Sequence, residues 1–175
     1  MATCPLTSSY DYAAGCTQYP GGVKVIAFVE SYNKNTITVT AGVVTAMALV
    51  ASKVFRTYRV KKNKSFVTDT ATRTDAGGKS YKPTISMFLG DLSTALRQEC
   101  DLLMNNSTVI AWLDYNNVWR LAGYNNLMEA TTGEANFGTT IGDSHAQTIV
   151  FAGEETVPMY EINTATATSL GLPLS

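Results

Sequence analysis

Hydrophobic and polar residues alternate with a period of two along most of the chain, which is the pattern of strands that bury one face. Val23, Val25, Ala27 and Val29 predict the buried face of a first strand. The remaining predicted strands cover residues 36–40, 43–50, 55–62, 108–115, 118–123, 146–152 and 159–162. The pattern therefore predicts a mainly β protein.

Residues 65–89 predict a long β-hairpin that turns at Gly77-Gly78, where glycine tolerates the positive φ of a tight turn. The second strand alternates polar and apolar positions, but the first is polar on both faces near the tip. Such a strand has no core beneath it within its own subunit. Pro83 removes one backbone donor, which fits an edge or a projection better than a central strand.

The period becomes helical over residues 91–106, with Asp91 or Ser93 as the N-cap and Asn105-Asn106 at the end. The apolar stripe of this predicted helix consists of Leu92, Leu96, Cys100, Leu103 and Met104.

The expected fold is mainly β: an antiparallel β-sandwich or barrel with one flanking α-helix and a long projecting hairpin. A chain of 175 residues fits a single domain. Residues 1–21 are expected to form an N-terminal arm, residues 123–142 a loop, and residues 163–175 a C-terminal tail.

The surface is weakly charged, since charged residues make up 15% of the chain and the formal net charge is −1. With 45% hydrophobic residues, this composition argues against disorder and against bulk attraction to nucleic acid. A surface rich in Thr, Ser and Asn can pack against a neighbour without removing full charges from water. The composition fits self-association and an ordinary monomer equally well.

The N-terminal residues lack a cationic and then apolar leader, and we expect synthesis in the cytoplasm and no membrane segment. Cys4, Cys16 and Cys100 leave at least one thiol unpaired, against a disulfide framework. A loop closed by Cys4 and Cys16 under oxidising conditions stays open as an alternative to buried or idle thiols.

Catalytic patterns are weak. Any histidine-based triad must use His145, and Gly142-Asp143-Ser144-His145 fits a turn better than a hydrolase nucleophile block. Gly77-Gly78-Lys79-Ser80 resembles the end of a phosphate-binding loop, but Arg73 stands where the pattern needs glycine and a strand follows instead of a helix. We expect no enzyme activity.

No cofactor, metal or small-molecule substrate is expected. Cys4 and Cys16 are too far apart for a zinc knuckle. Glu154, Glu155 and Glu161 lie near a predicted turn without a matching cation or aromatic cluster, which predicts a solvated acidic edge.

Cations are concentrated before the hairpin, where they predict a solvated strand edge or a partner for an acidic surface on the next subunit. An electrostatic match of basic and acidic ends would suit head-to-tail stacking. The cations concerned are Lys53, Arg56, Arg59, Lys61, Lys62 and Lys64.

The order of these features resembles a known family. A Cys-Pro-Leu-Thr start with Gly15-Cys16 is followed by Gly21-Gly22-Val23-Lys24, an aromatic and basic strand and a Thr-rich hairpin opened by Ser65-Phe66. One helix, a hairpin over residues 114–123 and a glycine-punctuated segment over 133–153 complete the series. In this order the chain resembles the tail tube proteins of phages that infect Bacteroidetes-type hosts.

The resemblance implies a virion protein that forms stacked sixfold rings, joined by the long hairpins of neighbouring subunits. The implied partners are other copies of itself, other tail proteins, and phage DNA that passes non-specifically through the lumen during ejection. Cations at Arg73, Lys79 and Lys82 depart from a neutral or acidic lining, so either hairpin face is a candidate for the lumen. The hairpin residues implied in assembly and lumen lining are Ser65, Phe66, Thr68, Asp69, Thr70, Thr72, Arg73, Ser80, Lys82, Thr84 and Ser86.

Two alternatives stay open. One is another ring-forming virion part, such as a connector, a tail terminator or a capsid decoration protein. The other is a non-enzymatic β-sandwich that binds carbohydrate, which needs an exposed aromatic platform. Tyr124, Phe137 and Tyr160 are the candidates, and they lie far apart in the sequence.

Overall fold

The structure, a computed structural model, describes residues 21–73, 77–90, 92–140 and 145–173. Two β-sheets pack face to face with a flanking helix, which confirms the predicted mainly β sandwich. Of the expected N-terminal arm, residues 1–20 lie outside the described residues, and so do Cys4, Cys16 and the Asp143-Ser144 pair.

The elements in chain order are β1 (Val23–Glu30), a 3-10 turn (Ser31–Asn33), β2 (Lys34–Thr40), β3 (Val43–Leu49), β4 (Arg56–Arg59), β5 (Phe66–Arg73), β6 (Lys79–Leu89), α1 (Thr94–Asn105), β7 (Thr108–Asp114), β8 (Trp119–Ala122), β9 (Glu129–Asn136), β10 (Ala146–Ala152), β11 (Tyr160–Ile162) and α2 (Thr164–Ser169). Sheet A has the spatial order β2-β3-β11-β8-β7-β1-β4, and sheet B has the order β5-β6-β10-β9. Neighbours are antiparallel except β3 and β11.

The core lies on both faces of sheet A. One cluster joins Val25 and Leu113 to Val44, near the other end of the sheet, and to the C-terminal helix. The second cluster lies between the sheets and includes Ile26 and Phe151. Each cluster stabilises the fold through removal of apolar surface from water.

Strand β1 is buried on both faces, unlike the half-buried strand predicted from its alternation. Val25, Ala27 and Val29 share one face as predicted. Val23 belongs to the inter-sheet cluster instead, because the pairing of β1 with β7 shifts register between Val23 and Val25. One extra residue in a ladder moves the side chain to the opposite face.

Helix α1 (Thr94–Asn105) lies within the predicted range, but Leu92 precedes it and Met104 of the predicted stripe is 42% exposed. The Ser93 hydroxyl caps it by accepting a hydrogen bond from the Leu96 backbone N–H at 3.4 Å. Asn105 and Asn106 donate to the carbonyls of Asp101 and Leu102, which satisfies two acceptors at the helix end. On the predicted stripe, Cys100 and Leu103 are buried in the inter-sheet cluster, and burial raises the Cys100 pKa to about 11.

The C-terminal segment is not a free tail. Asn163 caps α2 by accepting the Thr166 backbone N–H at 2.7 Å. Ala167, Leu170 and Leu172 then join the core cluster on the outer face of sheet A. The expectation of a tail is wrong for residues 163–173, because short threonine and alanine stretches give weak periodic signals even where, as at Thr166 and Ala167, the side chains are buried.

Residues 123–142 are not a continuous loop, because they contain β9. Its sequence is poor in β-branched and aromatic residues, which hid it from prediction. Gly133 lies under α1, where an added Cβ would come within 2.5 Å of the Met104 sulfur. A larger residue at this position would therefore displace the end of the Met104 side chain.

The turn between β7 and β8 is built around Asp114. Asn117 takes left-handed geometry with φ 63°. The buried Asp114 carboxylate accepts the backbone N–H groups of Asn116 and Val118 at 2.8 and 2.9 Å and the Arg120 guanidinium at 2.6 Å. Burial by itself raises the pKa of Asp114, but these hydrogen bonds and the Arg120 charge outweigh it and hold the pKa below its ordinary value.

Asp114→Asn is expected to destabilise the protein by about 1–3 kcal/mol at neutral pH, through loss of charge-assisted hydrogen bonds. Because the folded-state pKa is lowered, this stabilisation is present above the ordinary pKa and is lost as the pH falls. Urea unfolding at pH 7 and near pH 3 measures both effects. A gap between wild type and variant that does not shrink at the lower pH would contradict this account.

Candidate assembly surface

The predicted hairpin is present, and its tip extends past its own sheet. β5 pairs with β6 from Phe66 opposite Ser86 to Arg73 opposite Lys79, without a register shift. β6 pairs with β10 only from Thr84 to Leu89. The half of the hairpin nearer the turn therefore does not pair with β10, and on the β6 side it is held by a bridge between Tyr81 and Glu155 and by a hydrogen bond from the Gly153 N–H to the Pro83 carbonyl.

Cross-strand partners lie on the same face of a sheet, so the register sorts the predicted residues. One face, called here the hydroxyl face, points away from sheet A. Its only charged member is Lys82, and Phe66 is 52% exposed. Ser86 is buried, because its small side chain lies between its cross-strand partners Phe66 and Val150. The hydroxyl face consists of Phe66, Thr68, Thr70, Thr72, Ser80, Lys82, Thr84 and Ser86.

Three predicted residues are not on this face. Asp69 lies on the opposite face and accepts the Met159 backbone N–H at 3.1 Å, which ties the hairpin to the body of the subunit. Arg73 lies on the Asp69 face, opposite Lys79. Ser65 precedes β5, is buried and accepts the Phe88 backbone N–H at 2.9 Å.

The hydrogen bonds of β6 determine which β5 residues direct their backbone N–H and C=O groups to the outer edge. Tyr81 exchanges hydrogen bonds with Glu155, and Pro83 accepts one from Gly153, so alternate β6 residues starting at Tyr81 point away from β5. Since backbone direction alternates along a strand, the residues of β5 that face its free edge are Val67, Asp69, Ala71 and Arg73. Pro83 costs no bond to β5 for the same reason.

The two edges of sheet B differ from those of sheet A. β5 and β9 are each eight residues long, and among the described residues no backbone hydrogen bond links their outer edges to another segment. In sheet A, β4 has only four residues, two of them arginine, and β2 pairs with two register shifts. In sheet B, β5 pairs without a shift, and β9 has one shift, so residues 132–136 of β9 form a regular stretch. Short, charged or irregular edges resist strand addition, whereas longer regular stretches invite it.

Glu155 links the hairpin to the loop between β8 and β9. Its backbone exchanges two hydrogen bonds of 2.8 Å with Tyr81, and one carboxylate oxygen accepts the backbone N–H groups of Asn125 and Asn126 at 3.1 Å. Burial raises the Glu155 pKa, while these N–H groups and the Lys34 charge oppose the rise. The prediction of a solvated edge was therefore wrong for Glu155, because long-range contacts bury it.

Glu155→Ala is expected to destabilise the fold by about 1–3 kcal/mol, because it leaves two backbone donors unpaired. Glu155→Gln keeps an acceptor and is the matched control, expected within about 1 kcal/mol of wild type. Because the folded-state pKa of Glu155 is raised, its protonation stabilises the fold below the ordinary pKa, and this stabilisation is lost as the pH rises through the folded-state pKa. Glutamine does not titrate, so Glu155→Gln is expected to remove this pH dependence of stability. Equal losses for Ala and Gln in urea unfolding would contradict the assignment.

The structure separates the aromatic candidates. Tyr124 and Tyr160 meet edge to face at 5.2 Å, but both are half-buried. Phe137 is 56% exposed and lies elsewhere, between Arg97 and the exposed His145. These three aromatic side chains therefore form no common platform.

The cations before the hairpin are exposed around β4 and the turn after it, as a solvated edge would require. Lys62 and Lys24 each lie 5.8 Å from the centre of the Tyr115 ring. Among the acidic residues, Asp114 and Glu155 are used inside the subunit, so the complementary acidic surface is smaller than the sequence indicated.

Within the described ranges, no group of three His, Cys, Asp or Glu side chains is arranged to hold a metal ion. The same part of the chain contains no helix with the length and apolarity needed to span a membrane. Comparison with protein families, with curated proteins and with solved structures gives no match.

Proposed function

We propose that this protein is a structural, non-enzymatic virion subunit that assembles with copies of itself into stacked rings, forming the tail tube through which phage DNA passes. The observation that carries the proposal is that the two outer edges of sheet B, each eight residues long, pair with no other described segment, whereas the outer strands of sheet A are short or irregular. Other tail proteins are the expected further partners, and the virion tail is the expected location.

The two free edges fit a ring. β5 and β9 run in opposite directions, because three antiparallel pairings separate them. β5 of one copy can therefore pair antiparallel with β9 of the next while both copies keep the same orientation about one axis. A contact of this head-to-tail kind forms a ring when the rotation between neighbours closes, and such a ring would pair both outer edges of sheet B.

The hydroxyl face supports the assignment of the lumen. Its opposite face packs on the sandwich, so in a closed ring of sheets the hydroxyl face would line the inside. Arg73 and Lys79, two of the cations that depart from a neutral or acidic lumen lining, lie on the other hairpin face. With Lys82 as its only charge, the hairpin part of the lining would make few phosphate contacts that slow DNA.

Negative-stain electron microscopy of the purified protein, beside size-exclusion chromatography, tests the proposal. Rings stacked into hollow tubes support it. Rings that never stack would favour a connector, terminator or decoration protein. A protein that stays monomeric at high concentration, with no particles in the images, would overturn the proposal and favour a β-sandwich binding module.

A further inference from the structure

We infer that neighbouring copies join in one specific register, with Thr68 of one copy opposite Glu134 of the next. This inference rests on the proposed ring assembly and adds the residue pairing at its interface. The partner is a second copy of this chain, and the surface consists of the outer edges of β5 (Phe66–Arg73) and β9 (Glu129–Asn136).

The backbone phase restricts the possible registers. The pairing of β10 with both β6 and β9 leaves Ala135 and Gly133 facing the outer edge of β9. These must oppose edge-facing residues of β5, such as Val67 and Asp69, for hydrogen bonds to form. A register that meets this condition also puts Thr68 and Glu134 on the same face of the continuous sheet. Backbone hydrogen bonding and side-chain orientation therefore favour the same registers.

The overlap of the strands selects among the remaining registers. Within one subunit Phe66 and Thr132 lie in the same cross-strand row, because Phe66 pairs with Ser86, Ser86 with Val150, and Val150 with Thr132. If neighbours met at that level, the second half of each edge would stay unpaired. Sliding the neighbour by four residues, so that Phe66 opposes Asn136, places the two edges side by side and pairs residues 66–70 with the regular stretch 132–136, which ends at the register shift of β9.

The stagger agrees with the geometry of closed barrels. The offset of four residues between neighbours is spread over the four strands of sheet B, which is one residue per strand. A rise of about 3.3 Å per residue and a spacing of about 4.8 Å between strands then tilt the strands by about 35° from the ring axis. Closed barrels have strands tilted by about 35–45°. The tilt does not depend on ring number, and six copies would give a backbone diameter of about 45 Å.

Disulfide trapping tests the register. In a background with Cys4→Ser and Cys16→Ser, Thr68→Cys is combined either with Glu134→Cys or with Glu129→Cys. Glu129 lies in the same cross-strand row as Thr68 within one subunit, so it would face Thr68 of a neighbour that is not offset. Both partners remove one glutamate, so the variants are matched in charge. The two cysteines of one copy lie on opposite edges of sheet B, too far apart to bond internally.

After mild oxidation, the Thr68→Cys and Glu134→Cys variant is expected to give a non-reducing gel ladder up to the ring number, at least tenfold above the single-cysteine controls. Crosslinking by the Glu129→Cys combination instead would overturn the register but keep edge pairing. Rings visible by microscopy without crosslinks in either variant would overturn edge pairing. Absence of any particles in the parent protein would remove the proposed function itself.

Discussion

Ala71→Pro is expected to leave a folded subunit that assembles at least about tenfold more weakly, which is about 1.4 kcal/mol per contact. Ala71 points its backbone N–H to the free edge of β5, so proline removes no bond to β6. Its ring would occupy the space that a neighbouring strand needs. Sedimentation velocity and electron microscopy measure the assembly.

Ala71→Val is the control, because valine favours strands and keeps the backbone donor. It is expected to assemble like wild type. Thermal unfolding of dilute protein should show both variants close to wild type, within about 1 kcal/mol. Normal tubes from the proline variant would rule out the β5 edge as the subunit contact.

Phe151→Ala is expected to destabilise the subunit by about 3–5 kcal/mol, enough to unfold a marginal domain. Phe151 is fully buried between the two sheets, and its ring centre lies 4.9 Å from that of Phe28. The substitution would leave a cavity where the sheets meet. Urea unfolding at neutral pH gives the free energy directly.

Phe66→Ala is the matched comparison, because it removes the same side chain from the exposed hydroxyl face. It is expected to change stability by less than about 0.5 kcal/mol. A loss from Phe66→Ala as large as that from Phe151→Ala would show that the hydroxyl face is covered within the subunit, against its role as a lumen lining.

Several elements could be predicted because their causes are local. β10 was predicted with its observed bounds, and Ser93 was correctly a candidate cap for α1. The turn between β7 and β8 also has a local cause, because asparagine tolerates the positive φ of Asn117. The hairpin was predicted from its polar strand and glycine turn, and its tip does extend past the sheet.

Other features depend on which segments meet. β9 has weak strand propensity, yet its register with β10 makes it the second free edge of sheet B. Without it, the sequence offered only half of the candidate interface. Glu155 looked solvated because its partners, the backbone N–H groups of Asn125 and Asn126, have no side-chain signature.

The sequence by itself determined the mainly β character, the hairpin and helix α1, because alternation, caps and turn residues act within a few neighbouring positions. Only the tertiary structure decided that the outer strands of sheet B run in opposite directions and pair with no other described segment, that Asp69 and Arg73 lie off the hydroxyl face, and that residues 163–173 pack on the core. These depend on the pairing of distant strands, and a one-residue change in register moves every side chain to the other face.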